Sequence, residues 1–229
     1  MNKRLAGVAA AATLGLMTTA ANAAVILTFG QIGDNPLVTA TADPVAGTTT
    51  LTANAPVTVT QIAGGEPRAN PYTFVLNATS TDEAGQVGNA VLQHYSGTFS
   101  ITNGASNALS GSFDDALFGA GGALTLAASD AVPTENVDFT SNVIPANLLA
   151  EPQAIAFSFA DVTPAASIVG TGCAVNPSIS PCTLASFTSS ISGTASAQTP
   201  TTVPEPATLA LLGSALAGLG LMYRRRRSA

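Results

Sequence analysis

Apolar and polar residues alternate with a period of two through much of this chain. That spacing turns one face of a β-strand toward a core and the other toward water. Residues 25–29 open the series and Gly30 ends it. In the next candidate, 57–62, Val57, Val59 and Gln61 fall on one face and Thr58, Thr60 and Ile62 on the other, with Gly64-Gly65 as the stop. Residues 72–76 follow Pro71 as a compact apolar strand. Along 88–101, Tyr95, Phe99 and Ile101 share a face, and Ser96, Thr98 and Ser100 take the opposite one. Asn103-Gly104 supplies a turn that tolerates positive φ, so 109–113 returns as a hairpin partner. Residues 123–127, 137–139, 154–160 and 184–195 continue the pattern, with Ile155, Phe157 and Phe159 on one face. Residues 114–118 and 146–149 read as short helical turns. Turn signals at short intervals predict an all-β fold, an antiparallel β-sandwich of jelly-roll-like form, in preference to a βαβ fold. No internal repeat of fixed period points to a solenoid.

Two segments break the alternation. Residues 1–23 carry Lys3 and Arg4, then an Ala-rich apolar run, then Ala21-Asn22-Ala23, a small-x-small site for removal of a secretory signal peptide at Ala21 and Ala23, with Ala24 as a neighbouring alternative. At the other end, Val203-Pro204-Glu205-Pro206 leads into 207–223, a run without charge that is apolar on all sides. As a helix it would be about 25 Å long, at the short end for crossing a bilayer. Arg224, Arg225, Arg226 and Arg227 follow and would stay on the cytoplasmic side as a stop. The expected plan is a signal peptide at 1–23, a secreted β-domain at 24–195, a linker at 196–202 that lacks bulky apolar groups, and a C-terminal segment at 203–229 containing a transmembrane helix at 207–223.

That order of parts, V-P-E-P, then a short hydrophobic helix, then an arginine cluster, resembles the PEP-CTERM sorting signal of Gram-negative bacteria. The resemblance covers the tail alone. It implies export by the Sec translocon, a transient stay in the inner membrane, and recognition there by an exosortase. After C-terminal processing it implies a place at the cell surface or in the extracellular matrix, with a link to exopolysaccharide and biofilm.

Charge sharpens this picture. Six of the seven basic residues lie in the two terminal segments, so 24–202 carries twelve acids against Arg68 alone. A domain with net charge −11 has no basic groups to replace phosphate counterions, which excludes nucleic acid as a partner. Only 9% of the chain is charged, and Thr, Ser and Asn fill the polar positions instead.

Candidate chemistry is sparse. Cys173 and Cys182, the only thiols, suit a disulfide in an oxidising compartment; C-x-x-C spacing and a neighbouring His are both lacking, so a metal or redox role is not expected. His94 is the sole histidine and reads as a solvent-facing strand residue. Arg68, beside Glu66-Pro67, reads as half of a structural ion pair. Asp82-Glu83 and Asp114-Asp115 are expected in loops, and Asp34-Asn35 and Asp43 flank a turn region. Paired carboxylates can hydrolyse glycosides, but the chain has no Trp and three Tyr to build a sugar platform. No cofactor is expected; calcium is the ion such oxygen-rich loops would suit, although no D-x-D-x-D-G loop occurs. Thr39/Thr41, Thr48/Thr50 and Thr58/Thr60 form Thr-x-Thr pairs that recur at no constant interval. The expectation is a non-enzymatic surface or matrix protein with no catalytic residues. A carbohydrate-binding module, an ice-binding or adhesion protein and a polysaccharide hydrolase are its alternatives.

Overall fold

The computed structural model describes residues 23–67, 71–87, 90–120, 124–170, 173 and 182–198. They form strands β1 (Ala23–Gln31), β2 (Val38–Asp43), β3 (Thr48–Ile62), β4 (Tyr72–Ser80), β5 (Gly85–Val87), β6 (Ala90–Asn103) and β7 (Ser106–Ala120). After these come β8 (Leu124–Ser129), β9 (Asn136–Thr140), β10 (Ala150–Thr163), β11 (Ile168–Val169), β12 (Thr183–Leu184) and β13 (Phe187–Gln198). One short 3-10 turn, Ala146–Leu148, precedes β10. The fold is all-β and every strand pairing is antiparallel.

The expected sandwich gives way to one eleven-stranded sheet that closes on itself, with β11 and β12 forming a separate two-stranded sheet. Hydrogen bonding runs β6-β4-β3-β1-β13-β10-β8-β7, and the β6–β7 hairpin completes an eight-strand, barrel-like ring. Two places in that ring are filled by interrupted strands. Between β3 and β13, β1 covers one half and β2 the other, with 32–37 as an excursion between them. Along β7, β8 pairs with Leu117–Ala120 and β9 with Ser110–Asp114, separated by 130–135. Strands of fourteen or fifteen residues (β3, β6, β7 and β10) are long enough to wrap around the core. Bulges let them bend: the ladders shift at Thr28/Phe29, Tyr95/Gly97 and Ala160/Thr163. The two poles of the barrel differ. The near pole holds the start of β1, the end of β13 and the β6–β7 turn, while the far pole holds the start of β3 and the segment containing β12.

All nine phenylalanines point into the ring and are buried. Phe157 sits at the centre, with ring centroids 5.3 Å from Phe99, 5.5 Å from Phe74, 6.2 Å from Phe29 and 6.4 Å from Phe113. A second group nearer the far pole joins Phe118 to Tyr95, Phe159 and Phe187. Each edge-to-face or offset pair adds about 0.5–1.5 kcal/mol beyond the area it buries.

Several local expectations change. Gly30 does not end β1, which continues to Gln31. Ile62, assigned by parity to the face opposite Val57, is buried with it. Thr28 pairs with Gln61 but Phe29 with Val59, so Thr60 is an extra residue that flips the alternation. Residues 114–118 lie within β7 and form no helical turn, whereas 146–148 do form one. Gly104 turns the β6–β7 hairpin at φ 58°, as Asn103-Gly104 implied. Residues 196–198, read as the start of a linker, are the last residues of β13, paired on both edges.

Candidate functional site

The outer wall of the barrel is a field of hydroxyls. Thr39 faces Thr188 on one side and Thr52 on the other; the row continues through Asn77, Thr98 and Ser112 to Asp138. Thr41, Thr50, Thr79 and Ser96 make a parallel row. Two of the Thr-x-Thr pairs therefore become neighbours across strands. Thr60, at the bulge, bonds Thr28 hydroxyl to hydroxyl at 3.0 Å instead.

Most of the acids sit in turns, loops and bulges, and several have structural tasks. One oxygen of Asp43 accepts the amides of Val45 and Ala46, each at 3.0 Å, which closes the turn between β2 and β3. Asp130 bridges the interrupted strand to β10: Oδ1 accepts the Val137 amide and Oδ2 the Gln153 amide at 3.1 Å. Glu135 accepts the Ser129 amide at 2.6 Å across the same excursion. Neither Asp130 nor Glu135 stood out in the sequence. Both lie between two short apolar runs, where an Asx-type turn is a recognisable signal.

His94 faces solvent, as expected, but has company. Its Nδ1 lies 3.2 Å from Asp82 Oδ2 and 3.1 Å from Asp115 Oδ1. Asp82 Oδ1 also accepts the His94 amide at 2.9 Å. Asp115 is not in a loop; it occupies the β7 bulge at φ 59°, a conformation a non-glycine residue adopts at some cost. Asp114 beside it is exposed on β7, and Asp82-Glu83 does lie in a loop. These groups are 32–47% exposed, where ion pairs are worth little. Among the described residues, no group of three or more His, Cys, Asp or Glu is placed to hold a metal ion. Arg68 lies outside the described residues.

A shallow cleft of about 280 Å³ lies on the outer wall beside β13, where Asp34 of the 32–37 excursion and Asp161 of the β10 bulge approach Ser190 and Ser192. Asp161 adopts φ 55°, and its Oδ2 accepts the Ser190 hydroxyl at 3.2 Å. Small outward residues (Thr28, Ala156, Ser158 and Thr194) continue the trough along the strand.

The far pole is plugged by a buried polar network. Tyr95 donates to Gln93 Oε1 at 3.0 Å, and the same oxygen accepts the Leu184 amide at 3.2 Å. Gln93 Nε2 donates to the Asp82 carbonyl at 2.9 Å. The Thr49 hydroxyl contacts that of Thr183 and donates to the Leu184 carbonyl at 2.7 Å. Burial pushes the ionisation of Tyr95 far above its ordinary range; the Asp82 charge adds to this and a hydrogen bond with Thr49 opposes it. Cys173 and Cys182 form the expected disulfide, and the Cys182 carbonyl accepts the Ala84 amide at 2.7 Å. Sequence parity held a trace of this plug: Gln93 shares a face with Tyr95, Phe99 and Ile101, and a polar group there needs partners.

At the near pole the chain's described ends meet, Ala23 opposite Gln198. Ala23, read as the last residue of the signal peptide, is the first residue of β1. Ala21, Val203–Pro206, Arg224–Arg227 and the proposed transmembrane helix at 207–223 lie outside the described residues. No helix among the described residues is long and apolar enough to cross a membrane.

The chain thus combines an all-β, barrel-like domain with a C-terminal segment of separate character. Residues 202–227 match the PEP-CTERM protein-sorting motif. The matched stretch contains Val203, Pro204, Glu205, Pro206 and the four arginines. The motif implies an exported chain whose sorting partner is an exosortase. No curated protein and no solved structure matches the chain.

Proposed function

We propose that this protein is an exosortase-sorted component of the cell surface or extracellular matrix that acts by binding and not by catalysis, in association with exopolysaccharide. The carrying observation is the sorting motif at 202–227, which begins four residues after the last strand of a barrel. Further support comes from the barrel's ionisable groups, several of which are engaged in holding its own turns and bulges together: Asp43, Asp82, Asp115, Asp130 and Glu135. Export is directed by residues 1–23, which are removed as the chain emerges from the inner membrane of a Gram-negative cell. The test is to express the full chain with and without an exosortase, then fractionate the culture and weigh the product by mass spectrometry. The expected product lacks both terminal segments and is found outside the inner membrane. A chain that keeps 203–229 in the presence of the enzyme refutes the sorting reading, and turnover of a polysaccharide by the purified product refutes the binding one.

The cleft beside β13 supports a narrower reading as a carbohydrate-binding module. Its hydroxyls match those of a glycan, and Asp34 and Asp161 are the groups through which calcium would take part. Titration against a glycan panel with and without calcium tests it; the absence of heat in both conditions removes it.

A further inference from the structure

The short distance between the closing strand and the sorting motif constrains the order in which this protein matures. Among the described residues β13 is the last strand of the barrel, and it is paired along both edges. Val25, Ala24 and Ala23 face Ser196, Ala197 and Gln198 on one side, and Ala154, Gln153 and Ala150 face the same three residues on the other. Until β13 docks, the ring is open between β10 and the β1/β2 place. Once it docks, four residues, 199–202, are all the chain between Gln198 and Val203. However they are arranged, the chain from Gln198 reaches at most about 18 Å to Val203 and about 32 Å to residue 207. An apolar run that enters the bilayer at 207 therefore holds the near pole of the closed barrel close to the membrane surface. An enzyme acting on 203–206 then has to work in the gap between the two. With β13 undocked, its twelve residues (Phe187–Gln198) add about 40 Å of free chain and the gap disappears.

We propose that C-terminal processing precedes docking of β13, and that closure of the barrel ends the period in which the tail can be cut. This rests on the reading of the tail as a processed sorting signal. The step is hydrolysis of one peptide bond by water: the C–N bond breaks, the barrel side keeps the new carboxylate, and the released tail takes the new amino group.

The experiment uses the full chain, purified in detergent with its tail intact from cells without an exosortase, folded, and then added to membranes containing the enzyme. Three proteins are compared: wild type, a version with a Gly/Ser insertion of about ten residues after Gln198, and Ile191→Asp, which places a charge in the core and keeps β13 from docking. The folded wild type should be cut about tenfold or more slowly than the other two, because its terminal pairs must fray on both edges first. Should Ile191→Asp fail to fold at all, the insertion variant carries the comparison, since its barrel is unaltered. Equal rates for wild type and the insertion variant overturn the inference and leave the sorting reading standing. If none of the three is cut while wild type is processed in cells that co-express the enzyme, something other than closure prevents cutting, because β13 of Ile191→Asp is undocked, and the inference is overturned. If none is cut in either setting, the sorting reading fails and takes the inference with it.

Discussion

Gly193 stands directly opposite Phe157 across the β10–β13 ladder, and a Cβ placed on it would come within 2.8 Å of the Phe157 ring and 2.7 Å of the Phe29 ring. Here glycine is required by the aromatic rings and not by backbone conformation. Gly193→Ala should destabilise the protein by about 1–3 kcal/mol, since the rings can move only by displacing their own neighbours. Urea unfolding followed by tyrosine fluorescence measures it, and a midpoint equal to wild type contradicts it.

Phe157 itself touches four other phenylalanines and is 1% exposed. Phe157→Ala should cost about 3–5 kcal/mol, with Phe157→Leu costing distinctly less because it leaves a smaller cavity. The ratio of the two losses in urea distinguishes a cavity from a general failure to fold.

The apolar side of this core was legible in the alternation along the strands. Ile155, Phe157 and Phe159, and likewise Tyr95, Phe99 and Ile101, were placed on common faces and are buried together. What periodicity could not supply was closure. Whether the sheet closes depends on contacts between residues far apart in the chain, such as Ala24 with Ala197 and Thr39 with Thr188. Bulges were equally hidden, because an extra Thr60 looks like any other outward threonine until its partner strand is known. The tail was the opposite case. Its information is local, so Val203–Pro206 and the arginines could be read without any fold.

Tyr95 makes the protein sensitive to alkali. Its hydroxyl stays neutral when folded, while in the unfolded chain it ionises near its ordinary value of about 10. The unfolded state therefore loses a proton first as pH rises. The associated stability is fully present below about pH 10 and declines above it. Tyr95→Phe keeps the ring against Phe118 and removes the titration. The drop in urea midpoint between pH 8 and pH 10.5 should be smaller in the variant than in wild type.

Asp130 and His94 both sit among polar contacts, yet their replacements should differ in cost. Asp130→Ala leaves the Val137 and Gln153 amides without acceptors and should cost about 1–3 kcal/mol for each amide that finds no water. His94→Gln removes only half-exposed ion pairs and should stay within about 1 kcal/mol of wild type. Thermal unfolding of the two variants side by side decides it.

The disulfide joins Cys173 to Cys182 at a sequence separation of 9. Replacing both cysteines by serine should lower stability by roughly 2.7 kcal/mol on the chain-entropy estimate for a loop of about ten residues. Unfolding of the double variant against wild type, without reductant, measures the loss.

The antiparallel pairing of Ala24 with Ala197, where β1 begins and β13 ends, also fixes how the barrel bears mechanical load. Tension applied between its two ends would peel β1 from β13 one hydrogen-bonded pair at a time, and this geometry resists weakly. Tension between the end of β13 and the far pole would load β13 lengthwise, against ladders on both edges that must slip together. A barrel pulled by the end of β13 and held at the opposite pole is thus strong, and it is soft only where its own ends are drawn apart.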